Sequence, residues 1–530
     1  MAEPVFVRKA TGLVREVGLT SAVLFCLLFA TQVHGMAFIM PYYWLFGDFS
    51  GSLWWGIAIG FAIIFLVNSV YAHFSSAMPR SGGDYIFLGR TIHPLLGFGP
   101  NFVWSFVMVW WLPANMVFMS SLLQTFLSLF YSQEALAWTY TLWGSFGLGL
   151  VLWVAVALLA LNKLTVFLKL NIVTWILSFG ILGVLFYYIM SVGGNFSALF
   201  NAWSLKYVPS NPDMYHTIIN DAVASGFQLN PPPEGLAMSK TLSWASAIAG
   251  FFLPYTAAIV WIGGEVKRAE SGIRQHIAME GATILSLVVL LAAGVSWVTV
   301  VDPRFMGAFG FLGGVEGLPL GFFYWTFFPA VMPAWFVAVY LAIAVLALIA
   351  VQYLCLSLFS RNLFAWSFDR LVPSMFAHVS DRTKQPTTAL AAGLVIGLIM
   401  ALIAFSINIF TYMAAMFLMI LVNLVIVCVA GLIFPYVRKE MFEQMPLKAR
   451  VAGIPVLSII SLMALVLLGW TLSSYFTNSD YIASYGVTQS SIFVCVLLWA
   501  IGLALYFTSR AYNKRRGIDL GKAFAQIPPA

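Results

Sequence analysis

The sequence predicts an all-α polytopic membrane protein of about twelve transmembrane helices. Three observations carry that expectation. Of the 530 residues, 62% are hydrophobic and only 8% charged, whereas soluble domains carry about 25% charged residues. About twelve apolar stretches reach the roughly 20 residues a helix needs to cross the hydrocarbon. Finally, 23 of the 26 Lys and Arg residues fall on one set of alternating connections, as expected when the basic loops stay cytoplasmic.

Taken in order, residues 1–18 form a polar cytoplasmic N-terminal segment without a small-residue cleavage site, so the first apolar run reads as a retained span rather than a removed leader. The spans read as 19–45, 52–77, 96–130, 138–161 and 164–191, then 242–264, 276–300, 322–358, 387–407 and 409–434, then 452–475 and 487–509. The third and eighth are long enough to require tilt or an extra turn outside the bilayer. The connection 192–241 contains NPPPEG at 230–235 and lies outside by this count. Connections of that length fold over a surface or gate access. The tail 510–530 is cytoplasmic, like the N-terminus, and the membrane is a plasma membrane. The net charge of +7 follows from this topology, so the partner it implies is the lipid bilayer and not nucleic acid. Cys26, Cys355, Cys428 and Cys495 all sit in apolar runs without a CxxC or Cys/His spacing. They read as packing residues, and no metal or cofactor is expected.

Polar interruptions locate the site. Gln32, His34, Gly35, Met36 and Ala37 fall in the middle of the first span, where lipid offers no hydrogen-bond partner. Phe252, Leu253, Pro254, Tyr255 and Thr256 fall at a similar depth in the sixth. A proline there removes a backbone donor and frees a carbonyl. Two interrupted spans five apart point to an inverted-repeat transporter whose substrate sits at the breaks. Ordinary kinks and close helix packing are the plainer reading of the same residues. Asn115 in the third span and Gln352 in the eighth are further candidate pocket residues, with Trp110, Trp111 and Phe252 as candidate caps.

Three segments carry a family resemblance. MPRSGGDYIFLGRTIHPLLGFG (78–99), GGEVKRAESGIRQHI (263–277) and SRNLFAWSFDRLVPSMFAHVSDRTKQPTTAL (360–390) resemble loop signatures of the amino acid–polyamine–organocation (APC) transporter superfamily, in an amino acid permease-like order. The resemblance implies a LeuT-like 5+5 inverted repeat with discontinuous helices 1 and 6. Residues 19–191 and 242–434 form the two repeats, and 435–509 adds two C-terminal helices. It also implies alternating access, with amides of the first break holding a carboxylate and carbonyls of the sixth an ammonium. Arg80, Gly82, Gly83, Tyr85, Arg90, Glu265, Lys267, Arg361 and Asp369 would form the cytoplasmic gate, where ion pairs make and break. Snorkelling surface charge is the plainer account of any one of them.

The family pattern is not kept throughout. Near the first break His34-Gly35-Met36-Ala37-Phe38 keeps only one of the two expected glycines, and the glycine of the sixth is missing around Pro254-Tyr255. Side chains therefore occupy space where backbone would approach a ligand. His34 is a substrate contact, a structural hydrogen-bond partner or a proton carrier. Ser357 and Ser360 do not make a hydroxyl pair suited to sodium, and no lysine sits mid-way along the fifth span. Glu280 is the deepest acid, which leaves a coupling proton, exchange and facilitated diffusion open.

The leading expectation is a secondary transporter of amino acids or related amines. The absence of fixed charge at mid-membrane favours neutral, apolar side chains. A carrier of polyamines or another small solute on the same fold is the alternative. A membrane enzyme is disfavoured because no nucleophile–base pair or metal-ligand spacing appears, and a channel because no filter repeat or charged ring does.

Overall fold

The computed structural model describes residues 12–31, 52–227, 229, 238–312, 315–320, 324–406, 413–477, 489–524 and 526. Among them eleven helices are long and apolar enough to cross a membrane, and a shorter apolar helix precedes them. We label the twelve α1 (Leu19–Thr31), α2 (Leu53–Ala77), α3 (Pro94–Ser128), α4 (Leu142–Ala160), α5 (Leu164–Val192), α6 (beginning Met238–Ala247), α7 (Gly272–Val300), α8 (Ala334–Phe368), α9 (Thr387–Ala404), α10 (Met413–Val437), α11 (Val456–Thr477) and α12 (Gln489–Arg515). The protein is an all-α polytopic membrane protein.

Burial sorts the helices. Every residue of 241–261 in α6 is buried, against 17% along α4 and 22% along α12. The former is central and the latter two are rim helices. The rim shows Leu158, Ile176, Val395, Ile399, Val466 and Phe493 to the outside. So large an apolar surface is tolerable only against lipid. Inside, α3 packs on α8, α4, α9 and α12, while α1 packs on α7 and the lower half of α6, and α2 on α6 and α7.

The α2–α6 contact depends on Gly56 and Gly60, four residues apart on one face of α2. A Cβ on Gly56 would lie 2.2 Å from that of Trp244, and one on Gly60 2.7 Å from that of Ile248. Small residues let backbones approach where no hydrophobic effect drives helices together.

Two elements differ from expectation. The eighth span runs from Ala334 to Phe368, some ten residues later than 322–358. Pro333 forms its N-cap, and residues ahead of it form the separate short helices Tyr324–Phe327 and Phe328–Val331. The helix then continues through Arg361 and Asn362 because both are fully buried; they are interior groups, not residues of a loop. The 192–241 connection is also folded in part. Helices Phe196–Ser204 and Met214–Ala224 dock on Pro303–Leu312 and Phe328–Val331, with Phe305 stacked on Tyr215 at 4.4 Å and edge-on to Phe200 at 5.2 Å.

Candidate functional site

α6 loses regular α geometry where the sequence carries Phe252 to Thr256. Met238–Ala247 is followed by a π turn, Ile248–Phe252, and then by a 3-10 segment, Pro254–Trp261. Pro254 cannot donate, so Leu253 N–H reaches back five residues to Ile248 O at 3.1 Å. The Leu253 carbonyl is instead taken by Thr256, through its N–H at 3.0 Å and its hydroxyl at 2.6 Å. Gln32, His34, Gly35, Met36 and Ala37, which carry the expected break in the first span, lie outside the described residues.

Around the α6 interruption stands a column of buried rings. Phe29 of α1 stacks on Tyr255 at 4.0 Å. Trp111 of α3 donates its indole N–H to the Tyr255 hydroxyl and meets Phe251 at 4.9 Å. Trp104, one and a half to two turns along α3, lies 5.6 Å from Tyr255 and stacks on Trp261 at 5.2 Å. Between 19–31, 94–128, 241–264 and 334–360 the chain carries no charged residue, so these walls are neutral throughout.

Asn115 and Gln352 do come together, but with each other: Asn115 Nδ2 donates to Gln352 Oε1 at 2.8 Å, tying α3 to α8. A second polar knot was not legible in the sequence. Asn68 Nδ2 of α2 donates to the hydroxyls of Thr256 and Thr283, each at 2.8 Å, and Thr283 donates on to Thr256 at 3.0 Å. It fastens the interrupted stretch to α2 and α7. Beside it, Ser69 donates to the Glu280 carboxylate, which also meets His276 Nδ1 at 2.7 Å. The His73 and His276 rings are 5.7 Å apart, edge to face.

The expected gate residues divide into two groups. Arg361 makes a two-pronged ion pair with Glu265, at 2.8 and 2.9 Å, with both side chains at most 2% exposed. Planar guanidinium and carboxylate suit this geometry. Arg90 pairs with Asp369 at 2.7 Å, and Tyr85 donates to the same carboxylate oxygen at 2.6 Å. Burial opposes the Arg90 charge, but the Asp369 carboxylate outweighs it and holds the guanidinium above its ordinary pKa. Phe524 of the C-terminal tail covers it, ring centroid 4.9 Å away. Lys267 is exposed and contributes only its backbone, N–H to Val17 O at 2.9 Å. Arg80 is half-buried and donates to the neighbouring Pro79 carbonyl.

Between these pairs lies Asp84, unforeseen as a site residue. Asn101 of α3 and Asn423 of α10 donate to its two oxygens at 2.6 and 2.8 Å. Burial holds the carboxyl above its ordinary pKa, and the two amides offset that only in part. Gly82 and Gly83 precede it with φ of 111° and 52°. A Cβ on Gly83 would sit 2.7 Å from the Trp261 indole nitrogen, and that ring is already stacked on Trp104. Gly83→Ala is therefore expected to cost about 1–3 kcal/mol, read as a lowered midpoint of thermal unfolding in detergent.

Among the described residues no cluster of three or more His, Cys, Asp and Glu could hold a metal ion. Apolar helices packed around one that is interrupted beside a neutral aromatic wall are an arrangement that suits a membrane transporter. The match to known families is more specific. The family described as Amino acid permease matches residues 24–502, and the chain belongs to it, within the APC superfamily. No individually curated protein matches the sequence. The chain is thus a multi-pass membrane transporter of amino acids or related solutes.

Proposed function

We propose that the protein moves amino acids with neutral, apolar side chains, or closely related amines, across the plasma membrane by secondary active alternating access. Substrate would sit between the α6 interruption and Gln32–Ala37. The observation that carries this reading is the uncharged, aromatic wall around Leu253–Thr256. The rings there suit an apolar side chain, and the carboxylate and ammonium would be met by backbone groups once the two breaks open toward each other. A polyamine would need fixed negative charge that these walls lack. The Glu265–Arg361 and Arg90–Asp369 pairs would be the closed inner gate, with both termini cytoplasmic. The 19–191 and 242–434 segments would be the two repeats, and polyamine or other small-solute exchange is the alternative.

Thermal unfolding of purified protein, screened against amino acids and amines at two pH values with and without sodium, tests the substrate class. A ligand at 100 times its Kd stabilises by about 2.7 kcal/mol. Protection by apolar amino acids and not by polyamines is expected. Protection by polyamines alone would overturn the assignment. Trans-stimulated uptake in liposomes would mark a carrier; a linear ion current would mark a channel.

The Glu280 network favours proton coupling over sodium. The carboxylate shared by Ser69 and His276 would take up and release the proton, and Ser69 is the chain neighbour of Asn68, which holds Thr256 of α6. Glu280→Gln is expected to uncouple substrate uptake from proton entry, at least tenfold in the proton-to-substrate flux ratio, while exchange of labelled for unlabelled substrate persists. Unchanged coupling in that variant would remove Glu280 from the proton path.

A further inference from the structure

Past α12 the chain turns back onto the protein. Gly517 has φ of 74°, its N–H reaches Lys514 O at 3.1 Å, and Ile518 N–H reaches Asn513 O at 3.0 Å. This is the left-handed turn with which many helices end. A short helix, Leu520–Phe524, follows. Chain ends are loose unless something ties them down, and here Ile518, Leu520 and Phe524 are all buried.

The tail lands on the Arg90–Asp369 pair. The Phe524 ring lies over the Arg90 guanidinium at 4.9 Å and edge-on to Tyr85 at 5.9 Å, so it touches both groups that donate to Asp369. Arg90 Nε also donates to Gln526 O at 3.3 Å. Gly89 leaves room for the ring, since a Cβ there would stand 3.0 Å from it. The other half of the pair is held from the same end of the chain. Ser509 Oγ and Asn513 Nδ2 of α12 donate to the carbonyl of Arg370, the residue after Asp369, at 3.2 and 2.9 Å. One segment therefore grips both halves, with α12 on the Asp369 side and the tail on Arg90. Parting the pair breaks contacts on one side or the other.

We propose that the tail from Ile518 onward is an autoinhibitory latch, which favours the closed state while seated on Arg90 and lets the gate open when it leaves. The proposal rests on the reading of Arg90–Asp369 as part of the closed inner gate. Contacts made in one state alone shift the equilibrium toward it by their own free energy. A ring over a desolvated guanidinium is worth about a fivefold shift or more.

The full-length chain, with Cys26, Cys428 and Cys495 replaced by serine, is purified in detergent. Cys355, fully buried on α8, is then labelled with a water-soluble maleimide well below the unfolding midpoint. Phe524→Ala is expected to label about fivefold faster or more, with melting close to the parent's. Gly89→Ala, which presses on the ring from the opposite side and leaves the tail sequence intact, is expected to move the same way by a smaller factor. It decides the matter alone should Phe524→Ala fail to fold. Asp369→Asn breaks the ion pair directly and reports on the gate itself. Faster labelling in Asp369→Asn with the parent rate in Phe524→Ala overturns the latch and leaves the gate in place. The parent rate in Asp369→Asn overturns the gate, and the latch with it. Faster labelling in Phe524→Ala that follows a lowered melting point, and is absent from Gly89→Ala, makes the ring a packing group and also overturns the latch.

Discussion

Glu265→Ala will destabilise the closed cytoplasmic end by about 3–5 kcal/mol, the range found when one partner of a buried ion pair is removed. Arg361 has no exposed surface, and its other named partners are neutral: Ser360 Oγ at 3.1 Å and Gln385 Oε1 at 3.3 Å. The stranded guanidinium recovers hydration only if the surrounding helices part. That shift amounts to roughly two to four decades in the closed-to-open ratio. Cys355 is a native reporter, fully buried on α8 six residues ahead of Arg361. With Cys26, Cys428 and Cys495 replaced by serine, its labelling by a water-soluble thiol reagent should rise tenfold or more in Glu265→Ala. Glu265→Ala/Arg361→Met, which removes both charges, should return it toward the parent rate, because an apolar pair leaves nothing uncompensated. Equal labelling and equal melting of parent and single variant would show that this pair does not seal the inner mouth.

Eleven of the expected spans are legible in the sequence as membrane-long helices among the described residues, because a bilayer imposes one constraint on each of them, about 20 apolar residues without charge. The interruption of α6 is legible from Pro254, although its onset at Ile248 is not: the π turn lies upstream of the proline, in residues that look like ordinary helix. Arg361 reads as loop because charge normally ends a span. Only its distant partner Glu265 lets the helix carry it inside. The same distance hides the Asp84–Asn101–Asn423 node and the His73–His276 contact, whose members are scattered along the chain and are joined by packing alone. The expected gate mixes both kinds. Glu265, Arg361, Arg90 and Asp369 find each other, whereas Lys267 sits in the same loop motif and points to solvent. A motif fixes residue type and position; burial decides which of its charges must be paired.

Tyr255→Ala is expected to lower kcat/KM for the best substrate at least a hundredfold and to shift preference toward bulkier side chains, while Tyr255→Phe retains most transport. The ring is fully buried, stacked face to face with Phe29 at 4.0 Å and 5.6 Å from the Trp104 ring. Truncating such a ring costs about 3–5 kcal/mol in packing, so lost stability alone would reduce the amount of folded carrier. The ratio of kcat/KM values for a large and a small apolar amino acid is independent of that amount. It therefore separates a wall of the pocket from a ring that merely packs. Tyr255→Phe keeps the stack but leaves the Trp111 indole N–H without its acceptor, a penalty of about 1–3 kcal/mol, seen in melting more than in specificity. A substrate ratio unchanged in Tyr255→Ala, with uptake reduced only in proportion to folded protein, would place the binding site away from the α6 interruption.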